Sequence, residues 1–387
     1  MDEESGAAVA LLARLVGFDT TSARSNLALI AFVEARLAEA GVSAVRVESP
    51  DGGKASLYAT IGPMVAGGVV LSGHTDVVPV TGQAWTSDPF TLAERDGRLY
   101  GRGTCDMKGF LALALAAVPG LAAAPLRRPV HLAFSYDEEV GCLGAPAMIA
   151  AMRARLPAPA AVIVGEPTNM QVVTGHKGIA VHRVTVVGHE AHSSLTHLGL
   201  SANMVAVELM AELAALARRL AAAADPHSPF VPPEPTLTIG TIEGGTAGNI
   251  LARRCRFLFD LRTPPGEDPL AILAPFLARC RTLDGELKRR FPQAGVTVER
   301  HALAPPLAPR AGDPAEALAR RLAGDNGPAR VVAYAAEAGQ FQEAGMATAI
   351  CGPGSIEQAH QPDEHVALEQ MARGSQFMAR LAAWARA

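Results

Sequence analysis

Apolar residues recur at helical spacing over residues 7–15 and 26–40, and Thr20, Thr21 and Ser22 supply turn and capping groups between them. The pattern predicts two opening helices. Short apolar runs follow at 56–61, 68–71, 130–135 and 161–164, the last two too continuous for a strand with one wet face, with helical stretches at 110–122 and 145–155 between them. That alternation predicts an α/β fold whose mostly parallel sheet is covered by helices on both faces. After Gly178 the order changes to a strand at 179–187, a helix at 200–224, strands at 236–242 and 250–262, a helix at 268–290 and a strand at 296–301. This β-α-β-β-α-β order is that of a ferredoxin-like α+β unit, and its Pro-rich stretch at 226–235 reads as a loop. From Pro314 a helix (314–322), strands (331–334 and 347–351) and a terminal helix (368–387) resume the first pattern. Residues 1–178 and 306–387 therefore form one domain, with 179–305 inserted into it.

Composition narrows the function classes. At 387 residues and 49% hydrophobic content the chain can bury a large core. Lys+Arg total 34 against Asp+Glu 38, a formal net charge of -4 without long runs of either sign, so neither nucleic acid nor an anionic membrane is indicated as a partner. A small molecule is the expected substrate. The five cysteines are widely spaced and lack a Cys-x-x-Cys pair, which predicts reduced thiols; with the acidic start Asp2-Glu3-Glu4, a cytoplasmic location is expected. The uncharged stretch 109–126, interrupted by Pro119-Gly120, falls short of the roughly 20 apolar residues of a bilayer span and reads as a buried helix.

The chemistry sits where apolar runs end. The run at 68–71 leads to His74-Thr-Asp76: imidazole is a good metal ligand, and a carboxylate two residues on can accept its second N–H. Alone, this pair is equally compatible with a structural histidine. In Tyr100-Gly-Arg-Gly-Thr-Cys-Asp106-Met-Lys-Gly109 the glycine spacing matches neither phosphate-binding pattern, and Asp106 would repel an anion, so a metal-bridging carboxylate suits the loop better. Asp137-Glu138-Glu139 resembles many solvated turns, but it follows a buried strand, at the edge where α/β sheets bind ligands. Consecutive side chains there point different ways, so one glutamate can bind metal while its neighbour reaches water. Glu166 follows an apolar strand and Gly165, and His360 follows the strand at 347–351 through a Gly-Pro-Gly loop. Two imidazoles with several carboxylates suit a pair of divalent ions, zinc first, with cobalt and manganese able to use the same set. Two ions about 3.5–4 Å apart polarise a carbonyl and activate water, which predicts hydrolysis.

On these motifs the chain resembles, over essentially its whole length, the metal-dependent deacylase and exopeptidase family that includes acetylornithine deacetylase, succinyl-diaminopimelate desuccinylase, aminoacylase and glutamate carboxypeptidase. The resemblance implies that His74 and Glu166 hold one ion and Glu139 and His360 the other. Asp106 would bridge them, Glu138 act as general base, and Asp76 support His74 from behind. It also implies a cis peptide at Asp106–Met107 and homodimerisation through the inserted domain. By motif, His192 in Gly188-His-Glu-Ala-His192-Ser-Ser would stabilise the oxyanion in the partner's site; without the resemblance it reads as a surface histidine. Asn249, in Gly244-Gly-Thr-Ala-Gly-Asn249, and Arg262, in Asp260-Leu-Arg262, would contact the substrate carboxylate.

The segment Gly352-Pro-Gly-Ser-Ile-Glu-Gln-Ala-His360-Gln-Pro-Asp-Glu364, with Phe18-Asp-Thr-Thr-Ser22, is most similar to the acetylornithine deacetylase branch. Its expected substrate is a small N-acyl amino acid, N-acetyl-L-ornithine, as in arginine biosynthesis. Two departures bear on specificity: Ala335 and Ala336 precede Glu337 where that branch has a threonine, and Leu195-Thr-His197-Leu-Gly199 lacks a proline. The alternatives on the same machinery are a desuccinylase, a general aminoacylase and a dipeptidase. Outside it, the rivals are a cysteine hydrolase using Cys105 or Cys142 and a non-enzymatic metal-dependent binding protein.

Overall fold

The structure, a computed structural model, describes residues 3–387. The chain opens with α1 (Glu3–Val16), α2 (Leu27–Glu39), β1 (Ala44–Glu48), β2 (Ala55–Ile61), β3 (Val69–His74), β4 (Ala93–Arg95), β5 (Arg98–Tyr100) and α3 (Gly109–Ala122). It continues with β6 (Val130–Ser135), α4 (Ala145–Arg155), β7 (Ala161–Pro167), β8 (Val173–His176), β9 (Gly178–Val187), α5 (Ala202–Ala222), β10 (Thr236–Gly244) and β11 (Arg254–Thr263). Next come α6 (Pro269–Arg290), β12 (Gly295–Ala304), α7 (Pro314–Ala323), β13 (Arg330–Val332), α8 (Ala338–Glu343), β14 (Thr348–Gly352), β15 (His365–Ala367) and α9 (Leu368–Arg386). Contacts divide it into two compact units, one running through Gly175 and completed by Leu307–Val331 and Ala336–Ala387, the other formed by His176–Pro306 with Val332–Ala335.

The first unit is built on an eight-stranded sheet of order β1-β2-β6-β3-β7-β14-β8-β13. Its centre, β6-β3-β7-β14, is parallel, whereas β1, β2 and β8 pair antiparallel with their neighbours. The sheet is thus mixed and mostly parallel at its heart. On one face Leu57, Leu71, Leu132, Phe134, Ile163 and Ala349 share a core with α1, α2, α3, α7 and α9. On the other, Val70 and His131 face Met152 of α4. The segment Thr104–Ala122 is long and apolar enough to cross a membrane, but 72% of it is buried inside the fold, so its apolar surface is core surface.

Two glycines explain how that central helix comes so close to the sheet. A Cβ at Gly73 would lie 2.5 Å from Met107 Cε and 2.9 Å from Leu111 Cδ2, and one at Gly165 would lie 2.0 Å from the Phe110 ring. Each glycine directly precedes a polar residue, His74 or Glu166. The backbone thereby admits the start of α3 under both strand ends.

In the second unit β9, α5, β10, β11, α6 and β12 form the ferredoxin-like order, with a sheet β10-β11-β9-β12 whose neighbours are all antiparallel. Alternate residues of β11, including Phe257, Phe259 and Leu261, are buried against both helices, the pattern of a sheet packed on one face. Ser201 and Asp268 cap α5 and α6 by accepting from Met204 N–H and Leu270 N–H. The sequence pattern missed β1 and the small sheet β15-β5-β4, because strands of three to five residues carry too little alternation to register.

Candidate metal centre

The parallel strands β6, β3, β7 and β14 present their carboxyl ends on one sheet edge, and the chemistry collects there. His74 ends β3, Glu138 and Glu139 follow β6, Glu166 lies at the end of β7, and His360 stands in the loop after β14. Asp106 comes from the turn Thr104–Lys108 that enters α3, and its peptide bond to Met107 is cis.

Asp106 faces two ways: Oδ1 lies 3.0 Å from His74 Nε2, and Oδ2 lies 3.4 Å from His360 Nε2. His360 Nε2 is 2.9 Å from Glu139 Oε2, and His74 Nε2 is 3.9 Å from Glu166 Oε1. Ligand atoms of His74, Asp106 and Glu139 all fall within 4.8 Å of one another. Glu139 Oε1 and Glu166 Oε1 are buried and lack hydrogen-bond partners. A buried, unpartnered carboxylate oxygen is expensive unless a cation satisfies it, so the donor set fits divalent ions of the kind that accept mixed imidazole and carboxylate ligands. The His360 side chain is 51% exposed, which leaves this side of the cluster open to solvent.

Without a cation the cluster holds protons. Burial, reinforced by neighbouring carboxylates, pushes Glu138 up to about 8 and Glu139 up to about 7, and lifts Glu166 well above the usual carboxylate range. Burial also acts on Asp106, but hydrogen bonds with His360 and His74 outweigh it and hold that carboxyl low. Hydrogen bonds to Asp106 and Glu139 push His360 up to about 10, and in His74 contacts with Asp106 and Asp76 overcome burial to raise it well above its ordinary value. Metal ligands must be deprotonated. Metal uptake at pH 7 is therefore expected to release protons, read as calorimetric heat that varies with buffer ionisation enthalpy; heat independent of the buffer would contradict this. The sign for stability follows. Folded glutamate pKa values lie above their unfolded ones, so the stability that these glutamates contribute to the metal-free fold should fall as pH rises from about 4.5 towards 8.

Supporting groups set the ligand geometry. His74 Nδ1 lies 2.9 Å from the carbonyl of Asp76, which can only accept, so the neutral ring keeps its lone pair on Nε2, towards Asp106. The Asp76 carboxylate, expected to support His74 from behind, lies 3.6 Å from Nδ1, and its nearer partners are Ser22 Oγ (2.7 Å) and the N–H groups of Glu138 (3.1 Å) and Glu139 (3.3 Å). Asp76 thus holds the glutamate turn. Within that turn the three carboxylates separate: Asp137 pairs with Lys54, Glu138 accepts from Cys142 Sγ, and Glu139 meets His360. Behind the cluster, Glu337 is fully buried and accepts from Ser72 Oγ (2.5 Å) and Ser135 Oγ (2.6 Å) on the strands leading to His74 and Glu138. Sequence reasoning assigned no role to Ser22 or Glu337, although both lie in segments it singled out.

Neither thiol has the surroundings that favour a nucleophile. Burial, with nearby carboxylates, raises Cys105 and Cys142 well above the ordinary thiol value, and their sulfurs donate to Ser355 O and Glu138 Oε1. These surroundings disfavour the thiolate that a cysteine hydrolase needs.

The second unit carries the other candidates. His192 is exposed, and its Nδ1 accepts from the Ser194 N–H at 3.2 Å, which leaves the proton of the neutral ring on Nε2. Its loop pairs with the Asn249 loop through Ser193 N–H to Asn249 O (2.9 Å) and Leu251 N–H to Ala191 O (2.9 Å). Arg262 lies elsewhere. It is near the opposite end of β11, roughly 25 Å along the strand at about 3.4 Å per residue, with its Nε donating to both Asp260 oxygens at 3.0 and 3.1 Å. One copy of the unit brings His192 and Asn249 together and keeps Arg262 apart from them.

Known proteins share this organisation. The chain matches Peptidase family M20/M25/M40 over residues 70–384. It is 38% identical over 382 residues to an acetylornithine deacetylase of Myxococcus xanthus, covering 97% of this chain and 96% of that one. It is 36% identical over 352 residues to an acetylornithine deacetylase of Proteus mirabilis, covering 90% and 87%. An M20 family metallo-carboxypeptidase of Sulfolobus solfataricus superposes with a TM-score of 0.76 at 19% identity, covering 99% of both chains. With imidazoles and unpartnered carboxylates gathered at the sheet edge and this likeness spanning nearly its full length, the chain belongs to the M20/M25/M40 peptidase family and is a metal-dependent amidohydrolase.

Proposed function

We propose that the chain hydrolyses N-acetyl-L-ornithine to acetate and L-ornithine at the sheet-edge cluster. The observation that supports this reading most is the convergence of His74, Asp106, Glu139, Glu166 and His360 beside a proton-holding Glu138, in a chain so similar to acetylornithine deacetylases. His74 and Glu166 would hold one divalent ion, Glu139 and His360 a second, with Asp106 between them; zinc is the proposed metal, and cobalt or manganese fit the same donors. Bound there, the ions supply Lewis acidity towards the acetyl carbonyl and towards water.

The chain's own groups move the protons. Glu138 takes a proton from the attacking water as its oxygen bonds to the acetyl carbon, and then returns a proton to the departing α-amine when the C–N bond breaks. His192 is exposed, and its Nε2–H donates to the acetyl oxygen as negative charge develops there, while Asn249 and Arg262 hold the amino-acid carboxylate.

We assign His192 and Asn249 to the partner's site in a homodimer. Two observations support this: Arg262 and the His192–Asn249 pair lie at opposite ends of one sheet, and the outer surface of the second unit is apolar at Met204 (65% exposed) and Val207 (53%) of α5 and at Ile242 (59%) on the edge strand β10. Comparison of kcat/KM for N-acetyl-L-ornithine, N-succinyl-diaminopimelate and N-acetyl-methionine tests the substrate. Preference for the first is expected at tenfold or more, about 1.4 kcal/mol of discrimination; preference for either of the others would retain the machinery and reassign the substrate.

A further inference from the structure

Between the Asp106 turn and the His360 loop runs a chain of three side chains that the proposed reaction does not use. Arg102 and Glu364 have side chains only 1% exposed, and Arg102 Nη1 meets Glu364 Oε2 at 2.6 Å. The other oxygen, Oε1, accepts the backbone N–H groups of Cys105 at 2.9 Å and Asp106 at 3.0 Å. Arg102 Nη2 donates to Gln83 Oε1 at 2.5 Å, and the guanidinium lies 5.0 Å from the Trp85 ring centroid. Arg102 Nη1 also reaches the Gln361 carbonyl at 3.3 Å, and Gln83 extends the connection to His360 itself: its Nε2 donates to the backbone carbonyl of His360 at 2.8 Å.

The Gln83 amide has one orientation that satisfies every neighbour. Arg102 and the Trp85 Nε1–H, at 3.1 Å, are donors and require its oxygen, while the His360 carbonyl requires its nitrogen. The His360 end needs such a tether. His360 has φ +63, a left-handed backbone conformation that a non-glycine residue keeps only when held, and its half-exposed side chain has little packing to hold it.

We propose that Gln83, backed by Arg102 and Glu364, is a positioning residue that keeps the His360 backbone in register with Asp106 and so tightens the grip on the ion assigned to Glu139 and His360. The inference rests on that assignment of ligands. Arg102 is fully buried and fixed at both ends, so it transmits the position of the Asp106 amide to the Gln83 amide with little slack. Orienting groups outside the ligand set commonly govern affinity in this way.

The test is a competition titration of Zn2+ between a chromophoric chelator and the full-length protein, for wild type, His360→Ala, Gln83→Glu and Gln83→Leu, with the melting temperature of each metal-free form. Gln83→Glu keeps an oxygen for Arg102 and Trp85 but has no N–H for the His360 carbonyl. Both Gln83 variants are expected to raise one of two zinc dissociation constants about 10–100-fold, leaving the other constant and the metal-free melting temperature near wild type. The proposal is overturned if Gln83→Glu binds both ions like wild type, if both constants rise together, or if only the melting temperature falls. His360→Ala separates the two levels. If it weakens neither ion, the ligand assignment fails and the inference with it; if it weakens one ion and Gln83→Glu weakens none, the tether alone fails.

Discussion

Replacing Glu138 by glutamine is expected to lower kcat about 10³-fold while the protein still binds its metal, because a positioned general acid–base contributes typically 10²–10⁴. The geometry separates the two roles. Glu139 reaches His360 at 2.9 Å, and Glu166 faces His74, whereas the side-chain hydrogen bond of Glu138 is from the Cys142 thiol. Glutamine preserves the shape and an acceptor for that thiol, but it cannot carry a proton from water to the amine. Metal analysis and steady-state kinetics on the purified variant check this, and near-normal turnover would remove Glu138 from the reaction. Glu139→Gln should instead lose metal, since it removes the charge of a carboxylate whose second oxygen is buried and unpartnered.

The second large effect concerns His192. His192→Ala is expected to lower kcat about 10²–10³-fold, the usual consequence of removing one donor to a developing oxyanion. Mixing it with Glu138→Ala distinguishes a donor within the chain from one supplied by a partner. In a mixed dimer, the chain that retains Glu138 would receive an intact His192 from its partner. Random exchange of two nearly inactive proteins is then expected to restore about a quarter of wild-type activity, because half the dimers are mixed and each has one complete site. No recovery after verified subunit exchange would place His192 on its own chain's site, or outside catalysis. Met204, Val207 and Ile242 form the exposed apolar surface proposed as the interface and are not among the metal-site residues, so Val207→Asp is expected to give a monomeric control that keeps the cluster.

The parts of this site legible in sequence were those written locally. An apolar run, a glycine and a ligand can be read at Gly73-His74 and Gly165-Glu166, and the structure explains the glycines by the close approach of Met107, Phe110 and Leu111. The inserted β-α-β-β-α-β order was legible because its strands and helices are long and regularly alternating. What escaped depends on pairing across the chain. Nothing near Arg102 indicates that its partner is Glu364, and nothing near Ser22 indicates that it holds Asp76. The contact at His74 has the same origin: His-x-Asp spacing lets both the carbonyl and the carboxylate of Asp76 approach Nδ1, and the carbonyl at 2.9 Å lies nearer than the carboxylate at 3.6 Å, whose oxygens also accept from Ser22 and the Glu138–Glu139 amides. Strands of three residues were missed because their position is fixed by neighbours rather than by their own periodicity.

The most direct measurement is a zinc titration of metal-free protein with amine release from N-acetyl-L-ornithine as the readout. The account predicts no turnover without metal and a rise that levels off at about two ions per chain, matching two ligand pairs that share Asp106. Full turnover in protein stripped of metal and assayed with excess chelator would contradict it.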